Sequence, residues 1–270
     1  MRPASQGHLV ADDIWQVHDV AETVEIRVVR DMPPLLAPVE AEVAALWDAA
    51  QRRAGGRLFN GRVFSADSIT RACIEGHWTE FRRSVAQMQR PALFGTLGVR
   101  ALAVGGVIEG ADFVVLGRRP EGAVYQPGEW QLPPAGSIDP GAMDAAGHID
   151  MLRQLHTELA EELGMPADAV THPRALAIVE HPGSHVCDLG VALRTNWTEA
   201  AIRAAHAACG NGEYTVLEVV RHADLPAFLA RHAGRVTRQA PVFLARAGLL
   251  GAWQRTATAL DSVAGPGNRC

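Results

Sequence analysis

Three glutamates, Glu158, Glu161 and Glu162, stand in the run Thr157-Glu158-Leu159-Ala160-Glu161-Glu162-Leu163-Gly164. On a helix of about 3.6 residues per turn they fall at i, i+3 and i+4 and share one face. Like charges at that spacing cost a helix a few tenths of a kcal/mol, and the macrodipole disfavours acids near a helix C-terminus. The arrangement is therefore locally unfavourable, and a hard divalent cation such as Mg²⁺ or Mn²⁺, which prefers carboxylate and phosphate oxygens, would reverse the penalty. Acidic residues are mostly solvated, so the flanking residues have to decide between a metal face and a plain surface.

Pro127, Gly128, Trp130, Leu132, Pro133 and Gly136 lead into the acidic run, and Gly164 closes it where the left-handed residue after a helix belongs. Taken together, Pro127-Gly128-Glu129-Trp130-Gln131-Leu132-Pro133, Gly136 and Glu158-Leu159-Ala160-Glu161-Glu162-Leu163-Gly164-Met165 resemble the signature of the Nudix hydrolases. That signature is a Gly, five residues, a Glu, seven residues, then Arg-Glu-apolar-x-Glu-Glu-x-Gly-apolar. The chain departs from it at Thr157 in the Arg position, at Ala142 in the upstream Glu position, and by seven extra residues between the halves. Seven residues make about two helical turns, so the expectation is a helix lengthened at its N-terminal end with the acids still in phase. Asp150 and Arg153 are candidates to replace the missing pair.

The resemblance implies an α/β fold, a Nudix-like α/β/α sandwich with a mixed sheet. It also implies Mg²⁺ or Mn²⁺ held by Glu158, Glu161 and Glu162 with the Gly136 carbonyl, the three glutamates being the catalytic residues. The implied reaction is hydrolysis of the diphosphate in a nucleoside diphosphate linked to another moiety, such as a sugar or an ADP-ribose-like group. Arg118 and Arg119 follow a predicted strand where the family carries a ligand-facing Arg, and such a pair can grip phosphate bidentately. With Trp130 they are the expected substrate contacts. The general base stays open among Glu162, Glu180 and Glu218. A second reading, motivated by Thr157 and Ala142, is a catalytically weakened domain that binds a nucleotide for regulation or assembly.

Composition narrows the alternatives. The 270 residues contain no lysine, which removes a P-loop lysine or a Schiff-base lysine as the chemical centre. A formal charge of −5 does not suit a nucleic-acid-coating surface. Cys73, Cys187, Cys209 and Cys270 lack Cys-x-x-Cys spacing, so neither a zinc site nor a disulfide framework is expected, and reduced thiols point to the cytoplasm. Met1 to Asp13 contains no apolar signal-peptide core and the chain has no long uncharged apolar run, so neither secretion nor membrane spanning is expected. Exclusive use of Arg with abundant Ala is the coding bias of a GC-rich bacterial genome. The expected partner is a small nucleoside diphosphate derivative, with no nucleic acid or membrane, and a homodimer is left open.

The elements that must position these residues follow from periodicity. Val24, Ile26 and Val28 alternate as a strand, and residues 39–53 have helical spacing closed by Gly55-Gly56. An Asn60-Gly61 turn precedes strands through Val63, Ile69 and Ile74, and a helix begins about Thr79. Two strands flank a turn at 109–112, and a hairpin turns near His181-Ser184, where Glu180, His181, His185 and Asp188 cluster as polar loop packing. A strand over 213–220 and helices near 225–233 and 241–253 complete the chain. These elements divide into an N-terminal α/β subdomain (1–93), a Nudix-like hydrolase domain (94–250), and a helix end and tail (251–270).

Overall fold

Alternation along a single strand, β5 (Leu102–Glu109), separates the two faces of the fold. Leu102, Val104 and Ile108 enter one apolar cluster and Val107 another, as period-two side chains must. Small residues occupy the second face where the alternation continues, at Ala103 and Gly105. The computed structural model describes residues 15–209 and 211–250. The helix end expected beyond 250, the tail and Cys270 lie outside them.

β5 sits inside a mixed sheet. Its partners are β6 (Phe113–Arg118), antiparallel across the tight turn, and β10 (Cys187–Arg194), parallel. β9 (Thr171–Glu180) pairs with β10, and β1 (Gln16–His18) closes that edge on β9. On the other side β11 (Val216–Arg221) lies along β6, while two short pieces, β7 (Trp130–Gln131) and β8 (Ala135–Ser137), pair with β6 and β5. One face packs against α4 (Met151–Leu163) and α5 (Glu199–Cys209) through Leu155, Leu159, Leu163 and Ile202. The other face packs against α6 (Leu225–Arg231) and α7 (Gln239–Arg246) through Leu225, Phe228, Val242 and Phe243. The result is a mixed α/β sandwich with helices on both faces of a mixed sheet. Among the described residues no helix is long and apolar enough to cross a membrane.

Ahead of this sandwich, β2 (Glu25–Val28), β3 (Arg62–Ile69) and β4 (Cys73–Glu80) form a second sheet, with α1 (Ala37–Arg53) and α2 (Phe81–Gln89) beside it; a single turn, α3 (Phe94–Leu97), follows. This small sheet is hydrogen-bonded to the large one, because Phe64 N donates to the Ile138 carbonyl (3.0 Å) and Ala66 N to the Arg100 carbonyl (2.9 Å). Phe64, Ile74 and Trp78 share a core with Leu155 and Leu159 of α4. Buried Gln87 reaches from α2 to the Val99 and Ser184 carbonyls, each at 2.7 Å.

Two findings depart from expectation. The extra residues between the two halves of the motif do not lengthen the helix: α4 begins at Met151, with Asp150 as its N-cap accepting from Leu152 N and Arg153 N. A carboxylate at that position satisfies the free amides of the first turn and stops the helix there. The inserted residues instead make a loop closed by a Met143–Ile149 bridge, and it extends the small sheet, with Val28 N donating to Gly147 O and Ile149 N to Ile26 O. The second finding is α5, an alanine-rich run capped by Thr198, whose hydroxyl accepts from Ala201 N at 3.2 Å.

Glu180 anchors the sheet edge. Its carboxylate accepts from Arg100 (2.6 Å), His18 Nε2 (3.0 Å) and His185 Nδ1 (2.9 Å). Burial alone would raise its pKa, but these bonds outweigh burial and hold the carboxyl down at about 2. A depressed carboxyl contributes stability that is complete above its ordinary value of 4.5 and is lost as pH falls toward 2. Glu180→Gln should therefore destabilise the fold by about 3 kcal/mol at pH 7. In urea titrations the gap to the wild type should close between pH 4.5 and 2; a constant gap would contradict this role.

Candidate functional site

Glu158, Glu161 and Glu162 lie on the last turns of α4, ended by Gly164 in the left-handed region (φ 66°). Leu155, Leu159 and Leu163 point that helix at the sheet and are fully buried, so the acids one or two positions away fall at three depths. Glu162 is buried, Glu158 half-buried and Glu161 exposed. β8 runs directly against the first two. Ala135 N donates to Glu162 Oε2 at 2.9 Å, and a Cβ built on Gly136 would overlap the Glu158 carboxylate. A side chain at 136 would have to displace the Glu158 carboxylate from its place against the strand.

The electrostatics are those of acids without a cation. Burial first, then the charges of Glu161, Asp139 and Glu213, pushes the Glu158 carboxyl up to about 7 against a 2.8 Å hydrogen bond from Gln154. Glu162 is raised well above the ordinary range, mainly by burial and further by Glu158 and Glu213. Among the described residues no Arg or His pairs with either, and no three His, Cys, Asp or Glu side chains are gathered into a ready ligand cluster. The donor set, desolvated carboxylates crowded beside a bare glycine backbone, fits a hard cation.

Behind β8 lies a cavity of about 260 Å³. Its floor is made of small residues, Ala101, Ala103, Gly105, Ala135 and Gly136, and its apolar walls include Phe81, Met88, Leu132 and Phe243. Arg119, Gln131, Asp188 and Glu213 supply polar groups. A hydrogen-bond chain leads out of it: Gln131 Nε2 donates to the Tyr214 hydroxyl (2.7 Å), which donates to Glu162 Oε2 (3.0 Å).

The expected substrate contacts separate. Arg119 lines the cavity, paired with Glu213 at 2.8 Å, whereas Arg118 is held by Glu121 (2.7 Å) and the Gly128 carbonyl. Trp130 is 6% exposed and packs edge-on to Phe228, in the core rather than the cavity lining. Thr157, in the Arg position of the motif, turns its hydroxyl back to the Arg153 carbonyl (3.1 Å). Asp150 caps the helix and Arg153 is exposed, so neither meets the acids; Gln154 is the residue that touches Glu158. Of the three candidate acids, Glu180 is locked in its ion cluster, Glu218 faces Arg203 (3.5 Å), and Glu162 lies beside β8. Tyr214 and Glu213 carried no local signal, whereas Gln154 is on the helix four residues before Glu158, a spacing that could have revealed it.

No family model matches the chain, and no curated protein matches it. Solved structures similar to parts of it include a MutT Nudix hydrolase from Burkholderia pseudomallei, with 17% identity and TM-score 0.36 over 54% of this chain and 96% of that one. A Nudix hydrolase from Nitrosomonas europaea matches with 16% identity and TM-score 0.38 over 55% and 88%. A bifunctional NMN adenylyltransferase/ADP ribose pyrophosphatase from Francisella tularensis, complexed with AMP and a Mn ion, matches with 12% identity and TM-score 0.39 over 62% and 48%.

A carboxyl raised by burial favours folding fully below its ordinary value of 4.5, and that contribution is lost as pH rises through about 7. Chelated Glu158→Gln protein should therefore be more stable than wild type at pH 8 by about 1–3 kcal/mol, allowing for solvent screening of a half-buried group. Below pH 4.5 the two should melt together. Equal melting at both pH values would show that Glu158 is not held as a desolvated acid.

Proposed function

We propose that the chain is a Nudix-type pyrophosphohydrolase acting with Mg²⁺ or Mn²⁺ on the diphosphate of a nucleoside diphosphate linked to another moiety. The observation that carries this reading is the packing of Glu158 and Glu162 against the β8 backbone at Gly136, beside a cavity large enough to receive part of a ligand. Glu158, Glu161 and Glu162, with the Gly136 carbonyl, are the residues that would hold the metal. Such a cation neutralises diphosphate charge and makes bound water a nucleophile at neutral pH.

The chain's own residues divide the remaining work. Tyr214 and the Ala135 amide fix Glu162 in one orientation, and Gln154 does the same for Glu158. In this reading Glu162, raised by burial and held beside β8, would take a proton from the attacking water. Arg119, already at the cavity wall, supplies the positive charge that meets phosphate, with Arg118 one residue away outside the wall. Residues 1–93 contribute to selectivity, since Phe81, Ser84 and Met88 of α2 line the same cavity as residues of the 94–250 unit.

Incubation with a panel of nucleotide sugars, ADP-ribose-like compounds and dinucleotides, assayed for released monophosphate, tests the reading. Turnover should require Mg²⁺ or Mn²⁺ and disappear in excess EDTA. Glu162→Gln should lower kcat on the order of a hundredfold or more, because charge stabilisation at the metal is worth several kcal/mol and each roughly 1.4 kcal/mol is tenfold in rate. Nucleotide binding without turnover of any panel member would favour the non-catalytic alternative, consistent with a Thr157 hydroxyl spent on its own helix. Full activity in EDTA would sink the metal assignment.

A further inference from the structure

Asp188 is a carboxylate of the cavity lining that the proposed reaction leaves unused. In the sheet it lies opposite Ala103 of β5, which lies opposite Ser137 of β8. This cross-strand row places one carboxylate among very small side chains, on the face away from the α4 leucines. Its Oδ2 is buried without a hydrogen-bond partner, as is the Thr237 hydroxyl, which lines the same cavity. Arg119 is the cation acting on it, but that guanidinium is committed to Glu213 at 2.8 Å and to the Tyr125 carbonyl at 3.1 Å.

Leaving a buried acceptor unpaired costs the full desolvation of the group, and such groups in a native fold call for a functional explanation. Burial pushes the Asp188 carboxyl up to about 7, with Arg119 pulling the other way, so a ligand donor would relieve a standing penalty. We propose that Asp188 floors a subsite that selects the amino-bearing edge of a nucleobase. The proposal rests on the reading of the substrate as a nucleoside diphosphate derivative and names which bases it takes.

An ionised carboxylate only accepts. Adenine, guanine and cytosine present an exocyclic amino group to it, whereas the N–H of uracil is flanked by two carbonyl oxygens that the carboxylate repels. Phe81, Leu132 and Phe243 provide the apolar surface that a heteroaromatic ring, rather than a sugar, prefers to meet. The Thr237 hydroxyl can serve a ring nitrogen. Because Gly136 borders both the cavity and Glu158, a base seated there leaves its phosphates on the side of the acidic helix.

Titration calorimetry of the full chain with AMP, GMP, CMP and UMP at pH 8 in EDTA tests this apart from turnover. The three amino-bearing nucleotides should bind at least about tenfold more tightly than UMP, since a site built for a donor rejects its absence strongly. Asp188→Asn should abolish that preference with an unchanged or raised melting temperature, because it removes an unpartnered buried charge; a purely structural aspartate would lower it. UMP binding as tightly as the others, no binding of any of the four, or a preference that survives in Asp188→Asn would overturn the proposal. The wild-type ranking decides the matter even if the variant does not fold. Loss of the metal-dependent reaction with the ranking intact would fault the catalytic reading alone, and the reverse result would fault the subsite alone.

Discussion

The contact on which the rest depends is the backbone of β8 laid against the acidic side of α4. Gly136 has no side chain, so the Glu158 carboxylate reaches the strand, and one residue earlier the Ala135 amide donates to Glu162. Through its other edge β8 is paired with β5 at Ala103, Val104 and Gly105. Helix, strand and cavity floor are consequently one mechanical unit. Any residue at 136 larger than glycine would have to move either the acid or the strand, and moving the strand would open the cavity behind it.

Packing supplies the free energy that lets these acids remain desolvated. Leu155, Leu159 and Leu163 are fully buried on the sheet side of α4, and each contributes about 1.5–3 kcal/mol. Together they exceed the penalty of about 1–3 kcal/mol attached above to Glu158. The helix can therefore carry an unfavourable face because its opposite face is so well buried. The insertion loop adds a second restraint, since it joins the small sheet at Val28 and Ile26 while Asp150, at its end, starts the helix. The N-terminal residues thus help to place the acidic helix.

Much of this was legible in the sequence. The acidic face of α4, its glycine terminator and the hairpins at 102–118 and 171–194 follow from local periodicity, which is a property of neighbouring residues. The direction of the insertion was not, because a helix and a bridged loop of equal length satisfy the same spacing, and the Asp150 cap decided between them. Nor was the division of Arg118 from Arg119, or the inward turn of Trp130, since adjacent strand residues face opposite sides and only the tertiary fold says which side is the cavity. Tyr214 lies 52 residues from the glutamate it holds; no spacing rule reaches that far. α5 escaped notice because its run of alanines contains one large apolar side chain, Ile202, and so offers no series of large apolar residues at helical spacing.

Three kinds of carboxylate, two in this sheet and one on the helix packed against it, illustrate why residue type alone does not assign chemistry. Glu180 and Asp188 are eight residues apart in sequence and looked like members of one polar cluster, yet register pairs Glu180 with Cys187 and sets Asp188 opposite Val179, on the other face. Glu180 receives one Arg and two His and is held near 2; Asp188 receives no hydrogen bond at Oδ2 and is pushed to about 7. Glu158 and Glu162 have only neutral donors and are raised as well. A fold that surrounds one acid with cations has the means to do so elsewhere, and twenty-five arginines were available to it. Acids left desolvated and without a hydrogen-bonded cation are the ones for which the proposals above supply a partner from outside the chain, since perturbed groups cluster at functional sites. On the proposed function the outside partner of Glu158 and Glu162 would be a hard cation, and on the proposed subsite that of Asp188 would be an N–H donor. The two sites are divided by the three residues of β8.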